Sequence, residues 1–184
     1  MLTFVVLELR VGAVGRIGAA GHAEPSAIAK ERVGGPLALG SAGLVGDAVA
    51  DRRHHGGPEK AVCVYPAARY AAWAARYGRP LPRPAFGENL LVDGVTEDVV
   101  RVGDVFALGG AEVEVSQPRI PCAKPAAFTG EARLTRDLVE TGWTGWYLRV
   151  LRPGPVAEGD VGRLLRRRDG AATVAEFNAA RRAR

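Results

Sequence analysis

Glycine and proline cut this chain into short pieces. Twenty-four glycines and 12 prolines are spread through 184 residues, and brief runs rich in Val, Leu and other strand formers lie between them. Such punctuation suits short strands joined by tight turns better than long helices. Residues 3–9, 61–65, 89–92, 104–108, 111–116, 146–151 and 163–166 read as strands, with smaller pieces at 32–33 and 37–39. Residues 111–116 alternate cleanly, with Ala111, Val113 and Val115 on one face and Glu112, Glu114 and Ser116 on the other. Gly109-Gly110 joins two of these strands as a hairpin. Pro66 can start a helix over residues 67–77, where Tyr70, Trp73 and Tyr77 form a packing stripe. A short helix fits 134–140. Thr173 can cap a last helix running to about Arg182, with Glu176 three residues on. The 79–84 segment, rich in proline, is a loop. The expected fold is mainly β: a closed or nearly closed barrel with peripheral α-helices and a short C-terminal helix. Residues 1–165 form the barrel domain, and 166–184 form a basic helical tail that is no independent domain.

Charge narrows the function. The chain carries 25 basic and 20 acidic residues, a net charge of +5. Residues 163–184 hold seven arginines against Asp169 and Glu176, which leaves 18 of each sign in residues 1–162. The excess therefore sits in the tail, and a nucleic-acid surface spread over the body is not supported. A hydrophobic content of 47% allows a substantial core. No apolar run nears the roughly 18–20 residues of a membrane span. The N-terminal segment has no basic leader and meets Glu8 early, so a cytoplasmic protein with reduced thiols is expected. Two cysteines do not make a disulfide scaffold.

Composition also marks individual residues. The chain uses 22 arginines but only three lysines, with three Ser, three Ile, two Asn and one Gln. Where arginine replaces lysine for generic positive charge, a surviving lysine is more often needed as itself. Ser116, Gln117, Ile120 and Lys124 crowd around Cys122 in Ser116-Gln-Pro-Arg-Ile-Pro-Cys-Ala-Lys-Pro125. Three prolines stiffen that loop, so Cys122 is presented on a rigid support, as a ligand or nucleophile requires. Arg119 and Lys124, if near it in space, favour the thiolate that binds metal. Cys63, between two valines in a strand, reads as structural. A pairing of the two cysteines stays open at this level, though the expected compartment argues against it.

A second constellation runs from Gly43 to Lys60. Gly56-Gly57 lets backbone N–H groups approach an anion, with Arg52, Arg53 and Lys60 flanking it. Asp47, Asp51 and His55 recur every four residues, a metal-binding face if helical; the surrounding glycines argue for a loop instead. As a structural turn, His55 would bond to neighbouring backbone. His54 and His22 are expected to be exposed.

Together these segments resemble the MOSC domain, the molybdenum cofactor sulfurase C-terminal family, in its stand-alone bacterial, YiiM-like branch. The resemblance runs from about Ser26 to Asp160. It is carried by Ser26-Ala-Ile-Ala-Lys30, Gly43-Leu-Val-Gly-Asp47, Asp51 with His55-Gly-Gly57, Phe86-Gly-Glu-Asn-Leu90, Gly103-Asp104, the Cys122 loop and Gly145-Trp-Tyr147. It implies a MOSC-type β-barrel that binds the pyranopterin molybdenum cofactor and reduces N-hydroxylated compounds, such as hydroxylaminopurines, to amines. By that analogy Cys122 is the molybdenum ligand and catalytic residue, its soft thiolate suiting the metal. Ser26, Lys30, Arg52, Arg53, Gly56, Gly57, Lys60, Arg119 and Lys124 are candidates for the cofactor's phosphate or pterin, and His55, Glu88 and Asn89 line or support the pocket. At family level alone, pyridoxal phosphate binding is also associated. The implied partners are an N-hydroxylated small molecule and a separate electron-donor protein; a homodimer stays open. Longer members carry further C-terminal helices, and Thr173-Val-Ala-Glu-Phe-Asn178 is similar to the first of these.

Three other readings remain. Cys122 could carry persulfide in a non-catalytic cofactor or sulfur carrier. It could serve a cysteine hydrolase with His55 as base, although no third orienting group is evident. The arginine tail could bind nucleic acid.

Overall fold

The computed structural model describes residues 1–18 and 23–183, excluding the side chains of Arg52 and His54. The expectation for His22 therefore lies outside the described residues, as does that for the His54 side chain. In chain order the strands and helices are β1 (Thr3–Val11), β2 (Gly15–Ile17), β3 (Glu24–Ser26), β4 (Glu31–Arg32), β5 (Leu37–Gly40), β6 (Gly43–Leu44), α1 (Arg52–His55), β7 (Val62–Pro66) and α2 (Ala67–Tyr77). They continue as β8 (Leu90–Asp93), β9 (Val105–Leu108), β10 (Ala111–Pro118), α3 (Lys124–Thr129), α4 (Leu134–Thr141), β11 (Trp146–Arg152), β12 (Gly154–Val156), β13 (Val161–Arg166) and α5 (Val174–Arg182).

The main sheet follows the order β13-β9-β10-β11-β7-β8-β1, and β1 pairs back onto β13, so the barrel closes. Closure pairs Thr3 with Arg163, Phe4 with Gly162 and Val5 with Val161. It leaves no free edge in that ring, which answers the aggregation hazard of exposed strands. Gly162 is required at this seam, because a Cβ there would lie 2.2 Å from the Phe4 ring. Antiparallel neighbours dominate, but β7 and β8 run parallel. A parallel pair needs a crossover, and the α2 segment supplies it.

The expected alternation holds on β10: Ala111, Val113 and Val115 are fully buried. They fill the barrel interior with Phe4, Val6, Leu9, Phe106, Leu108, Leu148 and others. A second cluster lies outside the barrel wall. There Tyr70 and Trp73 of α2 meet Tyr65, Phe86, Leu134 and Leu138. Burial on both sides explains why all five residues of β7 are apolar and buried.

Helix α2 begins and ends where the sequence places it. The capping box of α5 is complete: Glu176 N donates to Thr173 Oγ1, and Thr173 N donates to the Glu176 carboxylate. Thr173→Ala should lower stability by about 1 kcal/mol, visible as a lower denaturation midpoint. Several elements are additional to the expectation: the β2–β3 hairpin, β12, α3, the short β6, and α1, which replaces an expected loop with one helical turn. The first two lack an apolar alternation. In α3, Pro125 sits in the first turn, where its missing N–H leaves no hydrogen bond unmade, so a proline expected to stiffen a loop also opens a helix.

The described arginines of the tail are exposed, and three of them also tie the tail to the body. Arg166 pairs with Glu112, Arg167 pairs with fully buried Asp104, and Arg182 donates to the Val139 and Glu140 carbonyls. Val174 is buried in the barrel core, so this segment packs as part of the body.

Candidate functional site

The Cys122 loop leaves β10 and immediately returns toward β11. Arg119 N donates to Gly145 O at 3.1 Å. Gly145 has φ +68°, and a Cβ there would lie 2.3 Å from Val64 O, so only glycine lets the loop sit this close to β7. Thr135 Oγ1 donates to the Cys122 carbonyl at 3.3 Å, tying the loop to α4. Lys124 Nζ donates to Pro25 O at 2.8 Å, tying it to β3. Cys122 itself is half-buried.

Arg119 is the charged group beside it. Its Nη2 lies 3.8 Å from Cys122 Sγ. The residue is only 3% exposed, yet its Nη1 has no hydrogen-bond partner among the described residues. A buried cationic donor left unpaired is costly unless a ligand completes it.

Another part of the wall comes from the segment Ser26 to Lys30, the segment around Asp47, and Asn89. Lys30 and Asp47 form a buried ion pair. Asp47 also accepts from Gly12 N at 2.9 Å and from Asn89 Nδ2 at 2.8 Å. Asn89 in turn accepts from Cys63 N at 3.0 Å and donates to Arg10 O. One amide thus fixes β7, β1 and the Lys30–Asp47 pair relative to one another. The charge of Lys30 is therefore already matched within the protein, although the residue lines the cavity as expected of a cofactor candidate.

The histidine turn is one helical turn, α1, followed by a 3-10 turn at Pro58–Lys60. Gly57 has φ +94°, a conformation that glycine adopts without strain. The His55 ring reaches beyond its own turn: its Nδ1 lies 3.3 Å from the Tyr147 hydroxyl. Burial, with Arg119 nearby, lowers the His55 pKa from 6.5 to about 4, so the ring is neutral at pH 7. The unfolded chain takes up this proton near pH 6.5 and the folded chain resists until about 4. Stability should therefore fall as pH drops across that window. Thermal melts of His55→Gln should show a shallower loss than the wild type between those pH values.

These segments enclose one cavity, with about 770 Å³ of empty space counted out to its mouth. Ser26, Lys30, His55, Gly56, Gly57, Lys60, Asn89, Arg119, Cys122 and Lys124 all line it. Two expectations are corrected or limited: Arg53 is exposed and does not line the cavity, and the Arg52 side chain lies outside the description. Glu88 does not line the cavity but stands behind its wall, the supporting one of the two places expected for it. Glu88 is fully buried and accepts from Tyr70 Oη and Phe86 N. Burial pushes its carboxyl pKa up.

Cys63, Asp47 and Tyr147 also line the cavity and were not expected there. The Gly145-Trp-Tyr147 motif contained the signal for Tyr147. Cys63 is not purely structural, since its side chain borders the cavity, although burial pushes its thiol up to about 12. Both cysteines are free thiols. The metal face formed by Asp47, Asp51 and His55 is not realised: Asp47 is held by Lys30, and no group of three metal-ligating side chains occurs among the described residues. No helix among the described residues is long and apolar enough to cross a membrane.

Comparison with known proteins agrees with this geometry. Uncharacterized protein YflK of Bacillus subtilis is 44% identical over 156 residues, covering 85% of this chain and 71% of YflK. Protein YiiM of Escherichia coli is 42% identical over 146 residues, covering 78% of this chain and 65% of YiiM. A protein named reductase from Gibberella moniliformis is 36% identical over 170 residues, covering 89% of this chain and 29% of that protein. The crystal structure of YiiM from Geobacillus stearothermophilus superposes with a TM-score of 0.81 at 34% identity, covering 97% of this chain and 84% of that one. Residues 51–162, which hold both the histidine turn and the cysteine loop, match the MOSC domain, and the chain belongs to that family.

Proposed function

We propose that this protein is a cytoplasmic oxidoreductase that holds the pyranopterin molybdenum cofactor in the cavity and reduces N-hydroxylated compounds, of the hydroxylaminopurine type, to amines. One observation carries the reading. The chain's three lysines, Lys30, Lys60 and Lys124, line a single cavity together with Cys122 and with Arg119, whose Nη1 is buried unpaired. In a chain with 22 arginines, lysine is reserved for this place.

The residues fit the group. Cys122 offers a soft sulfur ligand for molybdenum. Lys60, Lys124 and Arg119 offer charge for a phosphate, Ser26 offers a hydroxyl, and the Gly56-Gly57 turn offers backbone N–H groups. Lys30, matched by Asp47, shapes the wall. The bound cofactor supplies a metal centre that accepts oxygen and carries two electrons. The chain holds that centre through Cys122, keeps Arg119 against the sulfur and shields both inside the barrel mouth. The balanced reaction takes R–NHOH, two electrons and two protons to R–NH2 and water, with the N–O bond broken. The electrons come from a separate donor protein. Similarity to a protein named reductase supports the redox class.

The test is direct. Protein made in a host that synthesises the cofactor should contain molybdenum and convert a hydroxylaminopurine to the amine with a chemical reductant. Protein that stays free of molybdenum, yet gains a Cys122 persulfide from a cysteine desulfurase, would replace this reading with the carrier.

A further inference from the structure

Resting on that reading, we infer that His55 and Tyr147 are the pair that delivers protons to the oxygen leaving the substrate nitrogen.

The reduction consumes two protons inside a cavity whose wall is rich in fixed cations. Of the groups bordering it, Lys30 is held in its ion pair with Asp47. The Cys63 thiol retains its proton because it is buried. His55 and Tyr147 border it as well, and they are in contact: Nδ1 of one lies 3.3 Å from the hydroxyl of the other. They come from different elements, α1 and β11, so the fold rather than local sequence brings them together. Both line the cavity that Cys122 lines.

The charges around the ring explain why a pair is needed. Arg119, Lys60 and Lys124 face it, and Asp51 is the carboxylate that opposes them. With burial added, the ring is neutral at pH 7 and stores no extra proton. A neutral ring can still pass a proton on if another group refills it. When the Tyr147 hydroxyl donates to Nδ1, the ring hydrogen resides on Nε2. The Nε2 proton passes to the departing oxygen as the N–O bond breaks, and the Tyr147 proton moves to Nδ1. Burial pushes the Tyr147 hydroxyl pKa up, so it holds its proton at rest, and Arg119 nearby offsets part of that cost during the transfer. Solvent protons at the cavity mouth then restore both groups, and a second passage completes the water molecule. The two electrons come from the donor protein named above. His55 is thus the catalytic residue, and Tyr147 is the positioning residue that refills it.

Two measurements test this. In cofactor-free protein, nitrogen NMR should find His55 as the Nε2–H tautomer at neutral pH, and Tyr147→Phe should leave a mixture of tautomers. In molybdenum-loaded protein, His55→Gln should lower kcat about 100-fold with little change in KM or molybdenum content. Tyr147→Phe should lower kcat about tenfold and make it rise as pH falls, because an imidazolium must then supply the proton. A loaded His55→Gln with kcat within about twofold of wild type would overturn the inference and leave the proposed function standing. Loaded wild type without N-hydroxyl reduction would overturn both.

Discussion

Cys122→Ala should fold normally and lose both bound molybdenum and N-hydroxyl reduction. The expectation of normal folding comes from the surroundings of the side chain. Cys122 is half-buried, and the bond that ties its loop to α4 uses its backbone carbonyl, which the substitution keeps. Gly145 and the prolines hold the loop whether or not the sulfur is present. The expected loss of activity comes from chemistry. No other thiol can replace it, because Cys63 keeps its proton until about pH 12. Reduction should fall on the order of 1000-fold or more, to background. Molybdenum measured per protein after gel filtration should fall in parallel. Wild-type metal content and wild-type rate in this variant would remove Cys122 from the site.

Asp47→Ala should destabilise the fold strongly. It would leave the Lys30 ammonium buried without its carboxylate and would deprive Gly12 N and Asn89 Nδ2 of their acceptor. Breaking a buried pair from one side costs about 3–5 kcal/mol. For a chain of this size that corresponds to a drop in Tm on the order of 10 °C. Asp47→Asn should cost less, because it keeps an acceptor for the backbone while losing the charge. The ranking matters for function, since Asn89 also fixes β7 through Cys63 N. A thermal melt of Asp47→Ala within about 1 °C of wild type would show that the pair does not hold this wall.

How far the sequence reveals this site depends on which physics each residue reports. The alternation in β10 and the Thr173 capping box are local patterns, so their elements are legible from a few neighbouring residues. The rarity of lysine is also legible, and all three lysines line the cavity. What stays hidden is pairing over long separations. Nothing local says that Lys30 is matched by Asp47, that His55 meets Tyr147 across 92 positions, or that Arg167 returns to Asp104. The same limit explains Arg53, which shares the histidine turn but points to solvent. Glycine and proline, dense throughout, are likewise more than punctuation. Gly145 and Gly162 mark places where two backbones or a backbone and a ring approach too closely for any side chain.

The central claim is that Cys122 holds molybdenum in this cavity, and X-ray absorption at the molybdenum edge tests it most directly. Wild-type protein from a cofactor-competent host and Cys122→Ser loaded in the same way should be compared. The account predicts a molybdenum site in the wild type with a protein sulfur neighbour that the serine variant lacks. Identical spectra from the two proteins, or a wild type that takes up no molybdenum, would contradict it.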